Sequence, residues 1–445
     1  MVPRLVSALM VLVFASISGA DFEPVPAANL TKRLLQHFDE TIPRWRAFYE
    51  DLHAHPELSF EEVRTSGLLA HKLRELGWEV TEHVGRTGVV GVFRHGEGPC
   101  VLVRTDMDAL PVQETTGLPY ASTVQVRRPD GSMTGVMHAC GHDMHMTCWL
   151  ATAEVLTRAK EHWSGTLIFV AQPAEEIGKG ALAMIDDKLF ERFGKPDVGF
   201  ALHCESFVAH GDIGYTPGYA LANVDTVDVV VKGRGGHGAH PQNTIDPIVI
   251  TARIILDLQT IVSREVDPLD AAVITVGSVH GGTKHNIIPS EVRLQLTVRS
   301  FKDATRARLL DGIRRVARGA AQTAGAPEPE VIVDSVFTPA LFNDEAWTEK
   351  TVALLRDVLG KDRLVPREPV MGGEDFSRFS RAGIPCVMLR LGTIEPDRVR
   401  AHEAGQLELA SLHSEKYFPV PDPSIRTGTT AMVASVLQVV GKKAP

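Results

Sequence analysis

Residues 137–146, "MHACGHDMHM", put one cysteine, three histidines and an aspartate into ten positions. A thiolate and an imidazole are preferred ligands of zinc, and both suit other late divalent metals. Cys140 and His142 flank Gly141, whose backbone freedom permits the sharp turn needed for both side chains to face one point. A buried, inert thiol is among the commonest fates of a lone cysteine, and a Cys140–Cys204 disulfide is the other unreactive alternative. Against the buried thiol stand His138, His142, Asp143 and His145, because so many ionisable groups cannot be buried together without compensating charge; the disulfide, open to an exported chain, would destroy the site. A second cluster, "PAEE", carries Glu175 and Glu176 directly after an apolar run and Pro173. In an extended segment successive side chains point to opposite sides, so one glutamate can face a cation while the other faces a cavity.

The elements that must position these groups are legible as alternating patterns. Short apolar runs, "GVVGVF", "CVLVRTDMD", "GTLIFVAQPAEE" and "VGFALH", alternate with helical periodicity such as "TCWLATAEVLTRA". Strands apolar on both faces and separated by helices predict a largely parallel sheet covered on both sides. In such sheets the ligand crevice lies beyond the carboxyl ends of the strands. Three strands are expected to run into Asp106 and Asp108, into Glu175 and Glu176, and into His203, while the helix entered through "HACGHD" brings Cys140 and His142 to the same edge. From Val224 the order becomes βαββαβ, the split βαβ plan of a ferredoxin-like unit with its helices on one face of an antiparallel sheet. After Pro339 helices and a buried strand, "PCVMLRLG", return. The expected division is an export signal at 1–20, a catalytic domain in two parts at 21–220 and 338–445, and an inserted lid at 221–337.

Composition excludes several classes of partner. The 445 residues are 44% hydrophobic and 23% charged with a formal net charge of −9 and no long basic run, which leaves no electrostatic footprint for nucleic acid or an anionic membrane. Arg4 precedes the apolar run "LVSALMVLVFASISGA", ending in small residues with Ser18 and Ala20 before a plausible cut. A cleaved signal, favoured over a retained anchor, would place the mature chain, from about Asp21, in the periplasm or outside the cell, with no membrane attachment. Five widely spaced cysteines are an odd number in a chain large enough to need no staples, so a disulfide framework is not expected. "GRGGHG" fits a dinucleotide-binding glycine pattern, but Pro241 and Pro247 follow where a helix N-terminus would have to hold a pyrophosphate. It reads better as a turn presenting His237. No serine in a G-x-S-x-G context offers a nucleophile.

Taken in order, "DMDALP", "HACGHDMHM", "PAEEIGKGA", "ALH", "KGRGGHGAHPQNTIDPI", "NIIP", "GGEDFSRF" and "LHS" resemble the metal-dependent N-acyl-amino-acid amidohydrolases, the hippurate hydrolase and auxin-conjugate hydrolase group of the aminoacylase/carboxypeptidase superfamily. The resemblance covers nearly the whole mature chain and implies a zinc-aminopeptidase-like catalytic domain interrupted by a lid that mediates dimerisation. Carried over by position, it implies that Cys140, His142, Glu176, His203 and His413 hold two divalent ions, zinc or manganese, with cobalt and nickel also accommodated. It makes Glu175 the general base and Asp108 a support for the centre. His237, from this lid or that of a partner, would stabilise the oxyanion or hold a substrate carboxylate, with Asn286 helping in the same pocket. By itself His413 has no periodicity to recommend it. Two departures from the family pattern, Ser206 in "HCES" and the run "SEKYFPVPD" after His413, flank the substrate pocket.

The implied activity is hydrolysis of a small amide, an N-acyl-amino acid or related conjugate, to a carboxylate and an amino acid, in a homodimer or higher homo-oligomer. A metallo-dipeptidase or carboxypeptidase on the same centre is the nearest alternative. An exported metal- or solute-binding protein without turnover is the alternative from another class, and Glu175 argues against it.

Overall fold

The computed structural model describes residues 27–442 apart from Pro129. The expected export signal lies outside the described residues. An eight-stranded sheet forms the centre of the molecule in the order Glu79–Val84, Gly88–His95, Gly165–Gln172, Cys100–Asp106, Val198–Ala209, Cys386–Ile394, Ile213–Tyr215, Leu364–Pro366. Its four central strands run parallel, while the first two join by antiparallel pairing. Ile213–Tyr215 is also antiparallel to its neighbour Cys386–Ile394. The sheet is thus mixed with a parallel middle, and apolar cores fill both of its faces. Parallel strands need crossovers, and the helices that make them cover the faces.

The helix His142–Arg158 is buried along nearly its whole length. It packs between the sheet and the terminal helix Pro421–Val440, so the first turn of the helix is held rigidly at the sheet edge. Trp149, inside that helix, donates from Nε1 to the Val103 carbonyl at 3.0 Å and fixes the helix against the Cys100–Asp106 strand.

The inserted unit runs from the strand Asn223–Lys232 through the helix Pro247–Glu265, strands Ala272–His280 and Glu291–Ser300, and the helix Asp303–Thr323 to the strand Glu330–Val333. Its sheet order is Ala272–His280, Glu291–Ser300, Asn223–Lys232, Glu330–Val333, all antiparallel, with a separate apolar core shared by both helices. This is the expected βαββαβ arrangement. Asp246 caps the first of its helices by accepting from the Ile248 amide at 2.9 Å. The chain enters and leaves the unit side by side, because Gly218–Leu221 pairs with Leu341–Asn343. Among the described residues no helix is long and apolar enough to cross a membrane.

Two local expectations need correction. His203 does not end its strand: Val198–Ala209 continues past it, paired with Cys386–Ile394 through Gly392. The neighbouring strand is long enough to satisfy the backbone beyond His203, so the apolar run understated the element. The glutamate pair is not extended either. Glu175 and Glu176 open a turn closed by the Gly178 amide on the Glu175 carbonyl at 2.7 Å, entered through Ala174 at φ +48°.

Candidate metal centre

Gly141 supplies the turn that the sequence demands. It lies at φ +81°, directly before the first residue of the His142–Arg158 helix, and a β-carbon there would sit 2.8 Å from the Cys204 sulfur. Both the left-handed backbone and the close approach require glycine. The consequence is that Cys140 and His142 face one space. The Cys140 sulfur lies 3.3 Å from His413 Nε2 and 3.6 Å from His203 Nε2.

Two sets of three donors share that sulfur. Cys140, His142 and His203 form one and Cys140, Glu176 and His413 the other, with the ligand atoms of each set within 4.8 Å of one another. Distant parts of the chain are held in register for this. His203 Nδ1 engages the Cys204 carbonyl at 2.8 Å, leaving Nε2 toward the sulfur. His413, itself in the left-handed region at φ +66°, is anchored by its amide on the Ala139 carbonyl at 2.8 Å. Non-glycine residues held in this region cluster at functional sites.

Asp108 organises the glutamate turn. One of its oxygens accepts from the Glu175 amide and the other from the Glu176 amide, both at 3.0 Å, and Ser59 Oγ donates to it at 2.6 Å. The supporting part expected of Asp108 therefore has a geometric basis. His142 Nδ1 is 3.5 Å from Asp108 and Nε2 is 3.7 Å from Glu176 Oε1, beyond good hydrogen bonds. Both ring nitrogens of His142 and Glu176 Oε1 are buried without a partner.

The electrostatics tell the same story. Burial, with Glu176, Glu175 and Asp106 nearby, pushes the Cys140 thiol well up. Burial likewise pushes Glu176 up to about 7. Glu175 is driven well above the carboxylate range by burial and by Glu374 and Glu176. His142 goes the other way: burial opposes its charge, but Asp106, Asp108 and Glu176 push it up to about 10. A buried thiol and buried carboxyls beside the orphaned ring nitrogens of His142, with His203 turned toward the sulfur and His413 exposed at its side, fit divalent cations.

Behind Glu175 lies a cluster that the sequence reading missed. Arg104 is fully buried and donates to Asp106 at 2.7 Å, Glu374 at 2.8 Å, Asp375 at 3.3 Å and the Gln172 side chain at 3.0 Å. It holds Glu374 and Asp375 beside Glu175, the three carboxylates lying within 4.8 Å of one another. The signal was present: a lone arginine in the apolar run "VLVRTD" has to find acids inside the fold.

Other residues of the opening motif are accounted for differently. His145 uses both nitrogens, donating from Nδ1 to Asp106 at 2.6 Å and accepting from the Cys204 amide at 2.7 Å. Asp143 bonds His53 at 2.6 Å, and His53 also meets Glu114 at 3.1 Å. Cys140 and Cys204 are both free thiols, which disposes of the disulfide alternative in this structure.

The donors open on a cavity of about 470 Å³ between the main sheet and the inserted unit, lined by Glu175, Glu176 and His203 on one side and by Thr226, Arg299 and Asp334 on the other. His237 and Asn286 do not line it. They sit exposed together on a small ribbon of the lid, where the Gly238 amide meets the Asn286 carbonyl at 2.9 Å. Their own subunit therefore does not bring them to the pocket. Arg299, which the sequence reading passed over, does reach the cavity: it donates to Thr297 Oγ1 and the Met371 carbonyl, and among the described residues no carboxylate pairs with it.

Residues 102–414 match the sequence model of peptidase family M20/M25/M40. The chain belongs to this family. It is a metal-dependent hydrolase of amide bonds. It is similar to a hippurate hydrolase of Campylobacter jejuni, 38% identical over 74% of this chain and 82% of that protein. It is equally similar to thermostable carboxypeptidase 1 of Saccharolobus solfataricus, 38% identical over 77% of this chain and 84% of that one. Among solved structures it resembles the Bacillus subtilis YXEP protein, described as a dinuclear metal-binding peptidase of family M20, with a TM-score of 0.72 and 30% identity over 89% of this chain and 98% of that chain. The mixed sheet and inserted unit agree with that family architecture.

Proposed function

We propose that this M20 enzyme cleaves N-acyl-amino acids or closely related small conjugates, with Cys140, His142, Glu176, His203 and His413 holding two divalent ions, zinc or manganese. The observation that carries the reading is the single buried sulfur shared by two donor sets, because two such sets would between them supply the ligands of a two-ion centre. Such ions polarise an amide carbonyl and lower the pKa of water to about 7. Glu175 borders the cavity next to His142, 3.9 Å from its Nε2. It acts as general base, taking the proton from the attacking water and returning it to the leaving amine. Asp108 holds the turn that carries the two glutamates through their amides.

Arg299 is suited to the substrate carboxylate, since it faces the cavity without an acid of its own. His237 and Asn286, exposed on the lid, are suited to completing the pocket of a second subunit, which makes a homodimer through the lid part of this proposal. Export to the periplasm or beyond remains the reading of the N-terminal sequence.

The carboxypeptidase relative favours a second reading on the same centre, a peptidase acting on short peptides. Metal-stripped protein reloaded with one ion at a time and assayed on N-acetyl- and N-benzoyl-amino acids against dipeptides separates the two. Preference for acylated substrates supports the acylase; a requirement for a free α-amine supports the peptidase. Glu175→Gln should lower turnover by about 10²- to 10⁴-fold while the bound metal stays at the wild-type level, and full activity would remove the general-base assignment.

A further inference from the structure

A second arginine lines the cavity in a different state from Arg299. Arg390 lies in the buried strand Cys386–Ile394, in parallel register with His203, so its side chain and that of His203 leave the sheet on one face. Glu205, two residues after His203, and Met388, two before Arg390, share that face. All four line the cavity. Arg390 Nη1 donates to Glu205 Oε2 at 3.0 Å, and each side chain is only 10% exposed.

A buried ion pair is seldom the most stabilising choice, because removing both charges from water offsets their attraction and apolar residues of equal volume do as well. What the pair contributes is better sought in the groups it leaves free. A guanidinium has five N–H bonds. Arg390 uses one on Glu205 and one on the Ala220 carbonyl at 3.3 Å. Among the described residues no further acceptor meets it, and no donor meets Glu205 Oε1. An unmet donor edge and an unmet acceptor therefore sit side by side on the cavity wall next to His203.

We infer that Glu205 and Arg390 are the specificity-determining pair of this enzyme and select substrates carrying a neutral carboxamide. A carboxamide oxygen accepts from Arg390 while its NH₂ donates to Glu205, so both partners are satisfied at once. A carboxylate at that position would be repelled by Glu205, and an ammonium by Arg390. An alkyl or unsubstituted aryl group would cover both polar groups without replacing the water they lose, and sites built to hydrogen-bond a substrate reject analogues that cannot. The two arginines thus divide the cavity: Arg299, without an acid, suits an anion, whereas Arg390, already neutralised, suits an amide.

The inference rests on the hydrolase reading only for its turnover arm. Metal-loaded wild-type enzyme is assayed with N-acetylglutamine against N-acetylnorleucine, N-acetylglutamate and N-acetyllysine. Succinamoylglycine against 4-methylpentanoylglycine tests the acyl side. In one of the two series the carboxamide is preferred at least about tenfold in kcat/KM, chiefly through KM. Glu205→Leu with Arg390→Met abolishes that preference at unchanged metal content, and Glu205→Gln with Arg390→Gln, which removes both charges but leaves polar groups, weakens it. No carboxamide preference in either series, or a preference that survives the double replacement, overturns the inference. Should no compound be turned over, the hydrolase reading is what fails. Calorimetric affinities for the same compounds then decide the inference by the same ratio.

Discussion

Replacing Gly141 with alanine tests the local geometry on which the centre depends. The residue sits at φ +81°, a region that costs an L-residue about 1–2 kcal/mol. The added methyl would lie 2.8 Å from the Cys204 sulfur and 3.0 Å from its β-carbon, with the Tyr417 hydroxyl at 3.6 Å. Cys204 is fully buried, so it has little room to yield, and such overpacking adds about 1–3 kcal/mol. Gly141→Ala should therefore lose about 2–5 kcal/mol. Because Cys140 and His142 flank the substitution, metal affinity should fall with stability. All five tryptophans, Trp45, Trp78, Trp149, Trp163 and Trp347, lie outside the inserted unit, so tryptophan fluorescence in denaturant follows the catalytic domain alone. A chelator titration on the same samples reads the metal. A variant that unfolds with the wild-type midpoint and holds its metal as tightly would refute the reasoning.

Arg299→Met should raise KM about tenfold to hundredfold for substrates with a free carboxylate, the range of a lost charge-assisted bond, and should leave carboxamide-capped analogues nearly unaffected; equal effects on both would remove Arg299 from carboxylate binding. His53, which burial works to discharge, is nonetheless pushed up to about 9 by Asp143 and Glu114. Its folded pKa lies above the unfolded value, so the stabilisation is complete below about 6.5 and is lost as pH rises through about 9. The difference in unfolding free energy between wild type and His53→Gln should shrink over that window by up to about 3 kcal/mol, and a difference independent of pH would exclude a charged His53.

What could be read from the chain followed the range of the interactions. Gly141, the donors around it and the βαββαβ order of the lid are encoded within short windows, where periodicity and residue type suffice. His203 was identified as a site residue but its strand was cut short, because the pairing that extends the strand to Ala209 comes from residues far ahead in the sequence. The same holds for Glu374 and Glu205, the distant acids that Arg104 and Arg390 meet across 270 and 185 positions. Each nevertheless leaves a local mark, one arginine in an otherwise apolar strand, which demands a buried acid without saying which. His237 was placed in the pocket by resemblance, whereas its own subunit keeps it exposed on the lid.

The most direct test of the central claim is metal stoichiometry combined with X-ray absorption at the metal edge, on wild type and on Cys140→Ala. Two ions per chain, about 3.5–4 Å apart, with sulfur beside both in the wild type and beside neither in the variant, is the expected result. A single ion, or a wild-type spectrum without metal–sulfur scattering, would contradict it.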